Sequence, residues 1–472
     1  MFPHKRKIPK MHYNLTTNID VCVNDSGFSL DELVYRMSVL HREKAFPELL
    51  AEILMMYDGY VRLDVMQCNC IPLTCSCGGN MYVLDGRRAR KVRTTIGTVD
   101  LPNLTRVKCA HCGKTHVPVI EICGLDLYQT KTAGVEKLII EQCAQTSYRR
   151  ATKSVGEMTG VCVSHSTSHR WVLKSDADEI SVPEDVIATV KSGNPAARQP
   201  EPVTIFADGT YCKGRDADGH AEKGVLKAMI GVRQSGDVFP IGTWSGDVTW
   251  KDIKEELQRK KVQFAEGSIL VCDGEEEIAE NLAKFANGSF QRCQWHCVHD
   301  TYHAMWEDGG RAKEIKPVQN KLKHLLAIEI PKEDIEEVDE AQALALEVRM
   351  KESESSITSL VEDIRARGFV KAASYLERAK HAMFNYLRRW LALGIVCPRA
   401  SSLIERTMRE LARRLKRIAY GWKEEGLSKI SKFILKIFSN EEEWRKYWEK
   451  RMAINQNVLL NFKMIKPTSV DK

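Results

Sequence analysis

Two stretches decide the fold: Val203-Thr204-Ile205-Phe206-Ala207-Asp208-Gly209 and Ser268-Ile269-Leu270-Val271-Cys272-Asp273-Gly274. Each is a short apolar run that closes on Asp-Gly. Such a run reads as a buried central strand, and in a sheet with helices on its faces the strand end is where a site opens. Asp-Gly alone is ordinary turn chemistry. If the two strands are neighbours, however, Asp208 and Asp273 meet at one edge. A buried carboxylate pair repels and is tolerated mainly where cations neutralise it. Oxygen ligands without His or Cys favour Mg2+ or Mn2+, and two such ions about 4 Å apart serve an in-line phosphoryl displacement. A third carboxylate is needed, and the pattern does not choose it: Glu275, Glu276, Glu277 and many later glutamates are available.

Outward from these runs, Ala228–Val232 and Phe239–Trp244 read as two more strands, followed by a helix over 250–260. A helix over 276–285 and a strand over 289–293 follow the second run. Three consecutive strands and then strands alternating with helices predict an α/β fold, a mixed sheet with helices on its faces. Residues 297–398 carry helical periodicity and many charges, and the chain from Ser401 onward reads as basic amphipathic helix.

Upstream, residues 176–202 have the composition of a linker, and residues 125–175 read as helices in a helix-turn-helix arrangement. Ser164 is a fitting N-cap for the last of them. As a recognition helix it would offer Ser164, His165, Ser168, His169 and Arg170 to a major groove. Residues 67–124 hold two close thiol pairs, Cys75-Ser76-Cys77-Gly78 and Cys109-Ala110-His111-Cys112-Gly113, around a strand-rich stretch. Four thiolates make a closed tetrahedral site for structural Zn2+. Cys68 and Cys70 compete for the role of first pair, and His111 and His116 read as bystanders. Residues 1–66 form a helical segment.

The chain has 472 residues, 15 cysteines and a net charge of +7. Hydrophobic residues at 43% and charged residues at 28% are ordinary for a globular protein. The basic N-terminus is not followed by a signal-peptide core, and no apolar run suggests a membrane span, so the expectation is a cytoplasmic protein. There, reduced cysteines point to metal rather than disulfides. The positive charge is segregated. Residues 87–108 carry seven Lys/Arg against Asp100 alone, and residues 401–438 carry ten against four Glu. That is the footprint of phosphate contact.

The region from Val203 to about Tyr420 resembles the catalytic domain of Mutator-like transposases, a superfamily that includes many prokaryotic insertion-sequence transposases. Ala207-Asp208-Gly209-Thr210 and Val271-Cys272-Asp273-Gly274 carry part of the likeness. Cys293-Gln294-Trp295-His296 looks like the Cys-x-x-His signature between the second and third acids. Ser401-Ser402-Leu403-Ile404-Glu405-Arg406, with Arg413-Arg414 following, is similar to the family's Asn-x-x-Glu-Arg helix, although Ser402 stands where many members carry Asn.

The resemblance implies an RNase H-like domain over 203–296, a helical insertion over 297–398 and a return to the core over 399–472. Glu405 would be the third acid, and Cys293 and His296 would shape the active site; Trp295 itself reads as core rather than as a base-stacking platform. The resemblance further implies double-stranded DNA as partner, both element ends and target, and a homo-oligomer that joins two ends. Arg406, Arg413, Arg414, Lys416 and Arg417 would contact phosphate. The residues leave two other readings open: a DNA-binding regulator with an inert RNase H-like domain, and an RNase H-like nuclease that cuts without joining.

Overall fold

A computed structural model of the chain describes residues 29–187, 200–216, 218–331, 338–416 and 421–454. The chain folds as two compact units, Met1–Ile122 and Cys123–Lys472. None of the described helices is long and apolar enough to cross a membrane.

In the first unit, Ser29 caps helix α1 (Leu30–Leu40), accepting the Glu32 N–H. A π-helical turn leads into α2 (Phe46–Cys68), which ends where Asn69 turns left-handed at φ 56°. Strands β1 (Tyr82–Thr94) and β2 (Gly97–Cys109) form an antiparallel hairpin, and the short β3 (Thr115–His116) extends the sheet beyond β2. Helix α3 (Pro118–Ile122) closes the unit. Gly97 turns the hairpin at φ 119°, and a Cβ there would lie 2.5 Å from the Arg42 carbonyl, so the turn admits only glycine. Helix α2 covers β2, burying Val61 and Val65 in the same unit as Val99, Leu101, Leu104 and Val107. Asp58 is buried too, but both its carboxylate oxygens accept the Thr105 N–H (2.9 and 3.1 Å), and the Thr105 hydroxyl donates at 2.7 Å. The helical segment and the cysteine-bearing hairpin are thus parts of one unit.

The second unit begins with helices α4 (Ala133–Gln145), α5 (Tyr148–Thr159) and α6 (His165–Lys174). Ser164 caps α6, accepting the Thr167 N–H at 3.1 Å. The sheet follows: β4 (Thr204–Arg215), β5 (Ala221–Val232) and β6 (Val238–Ser245), then helix α7 (Trp250–Arg259), β7 (Ile269–Cys272), helix α8 (Glu276–Leu282) and β8 (Phe290–Arg292). Its strand order is β6-β5-β4-β7-β8. The first three strands run antiparallel, and β4, β7 and β8 run parallel. The strands alternate as a two-faced sheet must. Ile205, Ala207, Met229, Leu270 and Cys272 share a core with Trp250, Ile253 and Ile278 of α7 and α8. Phe206, Leu226, Ala228, Ile230 and Val271 face the other core.

That second core is helical. It is built by α9 (Gln294–Glu307), α10 (Ala312–Leu326), α11 (Glu340–Ala366), α12 (Val370–Ala379), α13 (Asn385–Leu393), α14 (Ser402–Leu415), α15 (Glu424–Ser439) and α16 (Glu441–Arg451). Helix α14 packs on β4 and β5, turning Ile404, Met408, Leu411 and Leu415 inward.

Two expectations are corrected here. The strand that begins at Val203–Ala207 does not stop at Asp208-Gly209. Strand β4 continues to Arg215 because β5 pairs with it throughout, Asp208 opposite Ala228 and Tyr211 opposite Val225. The stretch 176–202 does not begin as a free linker. Ala177 is fully buried, and the Lys429 ammonium reaches the Asp178 carboxylate at 2.6 Å.

Candidate functional site

Register alone brings the first two carboxylates together. On the parallel neighbours β4 and β7, Phe206 stands opposite Val271. Two residues further along each chain are Asp208, still within β4 and on the Phe206 face that α14 covers, and Asp273, the first residue past the end of β7. Asp208 Oδ1 accepts the Gly209 N–H at 2.7 Å, and Asp273 Oδ1 accepts the Glu275 N–H at 3.0 Å. Gly274 between them bends at φ 103°, and the space a Cβ would need there is filled by the Arg292 guanidinium, which donates to the Gly274 carbonyl. Burial first, and then repulsion from Asp273 and Glu405, push the Asp208 carboxyl up to about 7.

Glu405 lies in the first turn of α14, half-exposed. The Ser401 hydroxyl donates to Glu405 Oε1 at 3.0 Å, and His296 Nδ1 lies 3.9 Å from the same oxygen. Cys293 is buried beneath, its sulfur accepting the Ser401 N–H at 3.3 Å. Burial raises the Cys293 thiol, but hydrogen bonds from His296 and Ser401 outweigh it and the net shift is downward. His296 moves upward; burial opposes its charge, and the Cys293 sulfur more than compensates. Ligand atoms of Cys293, His296 and Glu405 all lie within 4.8 Å of one another. Among the described residues, Asp208 and Asp273 join no group of three or more at that spacing, although Glu405 is near enough to raise the Asp208 carboxyl. Sequence reasoning missed Ser401 and Arg292, which carried no pattern of their own. It also placed Trp295 in the core, whereas Trp295 is 54% exposed. The buried face of α9 runs through Gln294, Cys297, Val298, Thr301 and Met305, and that spacing turns Trp295 outward.

The other residues singled out for DNA contact divide. His165, His169 and Arg170 are exposed on α6, whereas Ser164 is occupied as the cap. Ser168 is fully buried, one turn before buried Val172, which corrects its assignment to a groove-reading face. Arg406, Arg413 and Lys416 are exposed, and Arg413 pairs with Glu410 at 3.0 Å. Arg414 is buried. It donates to the Cys143 carbonyl at 2.9 Å and lies over the Trp422 ring, so its work is holding α14 to α4 rather than touching phosphate. Arg417 lies outside the described residues.

In the first unit, Cys75, Cys77, Cys109 and Cys112 bring four sulfurs within 4.8 Å of one another, a set that could bind a metal such as zinc. Cys75 and Cys112 are 3.6 Å apart, and Cys77 and Cys109 are 3.7 Å apart. The donor set fits. The Cys77 backbone N–H, with help from His116 and neighbouring thiols, lowers the Cys75 thiol to about 5 against the effect of burial. The Gly79 N–H points at Cys77 Sγ (3.4 Å), and a Cβ at Gly79 would come within 3.0 Å of Cys109 Sγ. Cys68 and Cys70 stand outside the cluster, Cys68 donating to the Asp64 carbonyl at 3.0 Å.

No protein-family model matches the sequence, and none of the curated proteins does. Among solved structures, the chain is similar to one described as a Drosophila P element transposase strand transfer complex, at 11% identity over 72% of this chain and 86% of that one, with a TM-score of 0.25. At that score the likeness fixes neither fold nor function.

Proposed function

We propose that the second unit is an RNase H-like DNA transposase core whose acids are Asp208, Asp273 and Glu405. One observation carries the reading: two aspartates at corresponding positions of neighbouring parallel chain runs, one within β4 and one just past the end of β7, with Asp208 feeling both Asp273 and Glu405. A carboxyl held near 7 by burial and like charge is a site where cation binding relieves an electrostatic cost. Two divalent ions, Mg2+ or Mn2+, would supply Lewis-acid activation of the attacking oxygen and neutralise charge on the leaving one.

The chain's own groups do the rest. Asp208 and Asp273 are fixed ligands, braced by the Gly209 and Glu275 N–H groups. The Ser401 hydroxyl and the Cys293–His296 pair orient Glu405. Exposed Arg406, Arg413 and Lys416 offer charge to phosphate. The helices α4 to α6 would read element ends through His165, His169 and Arg170, and a zinc-bound cysteine module in the first unit would add phosphate contacts.

The test is Mg2+- or Mn2+-dependent nicking and strand transfer on DNA carrying the element's ends. Asp208→Asn is expected to abolish both. Equal activity in wild type and variant overturns the reading. Nicking without strand transfer reassigns the unit as a nuclease.

A further inference from the structure

The start of α9 lines a feature that the three acids do not use. Trp295 is half-exposed, and its ring stacks on His299 with centroids 4.7 Å apart and planes 15° from parallel. His303 meets His299 edge-on at 4.6 Å and His296 meets Trp295 edge-on at 4.8 Å, so one stacked pair is flanked by two tilted rings. Beneath Trp295 and His299 lies an open cavity of about 360 Å3, walled also by Gln319 and Lys323 of α10 and by Arg399. Lys323 is exposed and has no ion-pair partner among the described residues. Arg399 has a carboxylate near it, Glu329 at 3.8 Å, which is itself 85% exposed.

The chemistry selects the occupant. Stacked rings beside cations suit a planar heterocycle tied to a phosphate, and the cavity has the volume of a small-ligand site. A paired base hides its faces in the duplex stack, so only an unpaired base can use such a platform. The cavity also shares a wall with the carboxylate site. The Gln294 N–H donates to the Arg399 carbonyl at 2.9 Å, and Arg399 leads directly into Ser401 and Glu405.

We propose that this cavity binds an unpaired nucleotide of the DNA strand, its base on the Trp295–His299 stack and its phosphate against Lys323 and Arg399. The proposal rests on the transposase reading for its DNA, but binding needs none of the acids.

The experiment uses the full chain without Mg2+ or Mn2+. A duplex with a three-nucleotide overhang carrying 2-aminopurine is titrated, beside the blunt duplex and free deoxyadenosine monophosphate. The overhang should bind with quenched fluorescence. Trp295→Ala should weaken it about tenfold, Trp295→Phe should recover most of that, and Lys323→Ala should weaken it and flatten its salt dependence. The blunt duplex should not respond to Trp295→Ala. Unchanged overhang binding in Trp295→Ala and Lys323→Ala, an equal loss on the blunt duplex, or free nucleotide binding as tightly as the overhang overturns the proposal. Nicking by Asp208→Asn is scored separately. Full activity there sinks the transposase reading while leaving the overhang result intact, and overhang binding indifferent to Trp295 sinks only the pocket.

Discussion

In the cysteine cluster, four sulfurs come from two short bends of chain, Cys75 with Cys77 and Cys109 with Cys112, set beside each other by one hairpin. In the second unit, the two aspartates come from different strands, and Glu405 arrives after a long run of helices. The first set divides: a backbone N–H lowers the Cys75 thiol to about 5, while the Cys77 thiol, despite the Gly79 N–H, is raised to about 12 by the neighbouring thiols and burial, so Cys75 carries charge before a metal arrives. The second set resists charge, since burial and like charge hold the Asp208 carboxyl near 7. A site made of local bends can be closed and structural. A site made by the packing of distant elements keeps an electrostatic cost, which on the proposed reading a cation would relieve.

The contrast can be broken most severely at the sulfurs. Cys109→Ser should abolish stoichiometric zinc, removing a metal whose binding is worth roughly 10 kcal/mol or more in small structural sites. Metal analysis and limited proteolysis should show the first unit cleaved and the second intact. Retained zinc and an intact first unit would end the analogy to a structural knuckle.

At the carboxylates, Glu405→Gln should lower strand cleavage roughly a thousandfold, the several kcal/mol a metal-centred charge network supplies. The fold should persist, as read by the thermal midpoint.

The electrostatic half of the comparison sharpens through pH. Asp208 sits near 7 when folded, above its ordinary 3.8. The stability tied to its proton is present below about pH 4 and is lost as pH rises through 7. In metal-free protein, Asp208→Asn should therefore stabilise the second unit at pH 8 by roughly 2–4 kcal/mol, and that gain should vanish near pH 4. Denaturant titration at the two pH values measures it. A variant no more stable than wild type at pH 8 would mean the carboxyl is not under strain.

The smallest effect belongs to orientation. Ser401→Ala removes one hydrogen bond to Glu405 and should cost about 1 kcal/mol, a five- to tenfold fall in rate, without changing metal content.

Much of the sheet was legible because its strands are written as apolar runs between turn residues. The extension of β4 through Asp208-Gly209 was not, because pairing with β5 overrides the turn preference of those two residues. The four clustered cysteines followed from their spacing, but choosing Cys75 and Cys77 over Cys68 and Cys70 needed the hairpin, whose strands hold the first pair beside the second. Charge misled at Arg414. Ile404, Met408, Leu411 and Leu415 mark the buried face of α14, and Arg414 falls on its border, where a guanidinium can reach the Cys143 carbonyl. The same helical arithmetic would have turned Ser168 in and Trp295 out. Of the neighbours of Glu405, Ser401 lies one helical turn before it, whereas Cys293 and His296 were named by the resemblance alone, since they meet Glu405 only once the helical excursion has closed.

Asp208 stands within a strand paired along its length with β5, although its other edge is paired with β7 only as far as Phe206, and not on a free loop. The β4 amide protons that bond β5 should exchange far more slowly than those on the edge beyond Phe206. On the proposed reading the first acid is therefore held by the sheet itself, whereas the third rides on the first turn of a helix.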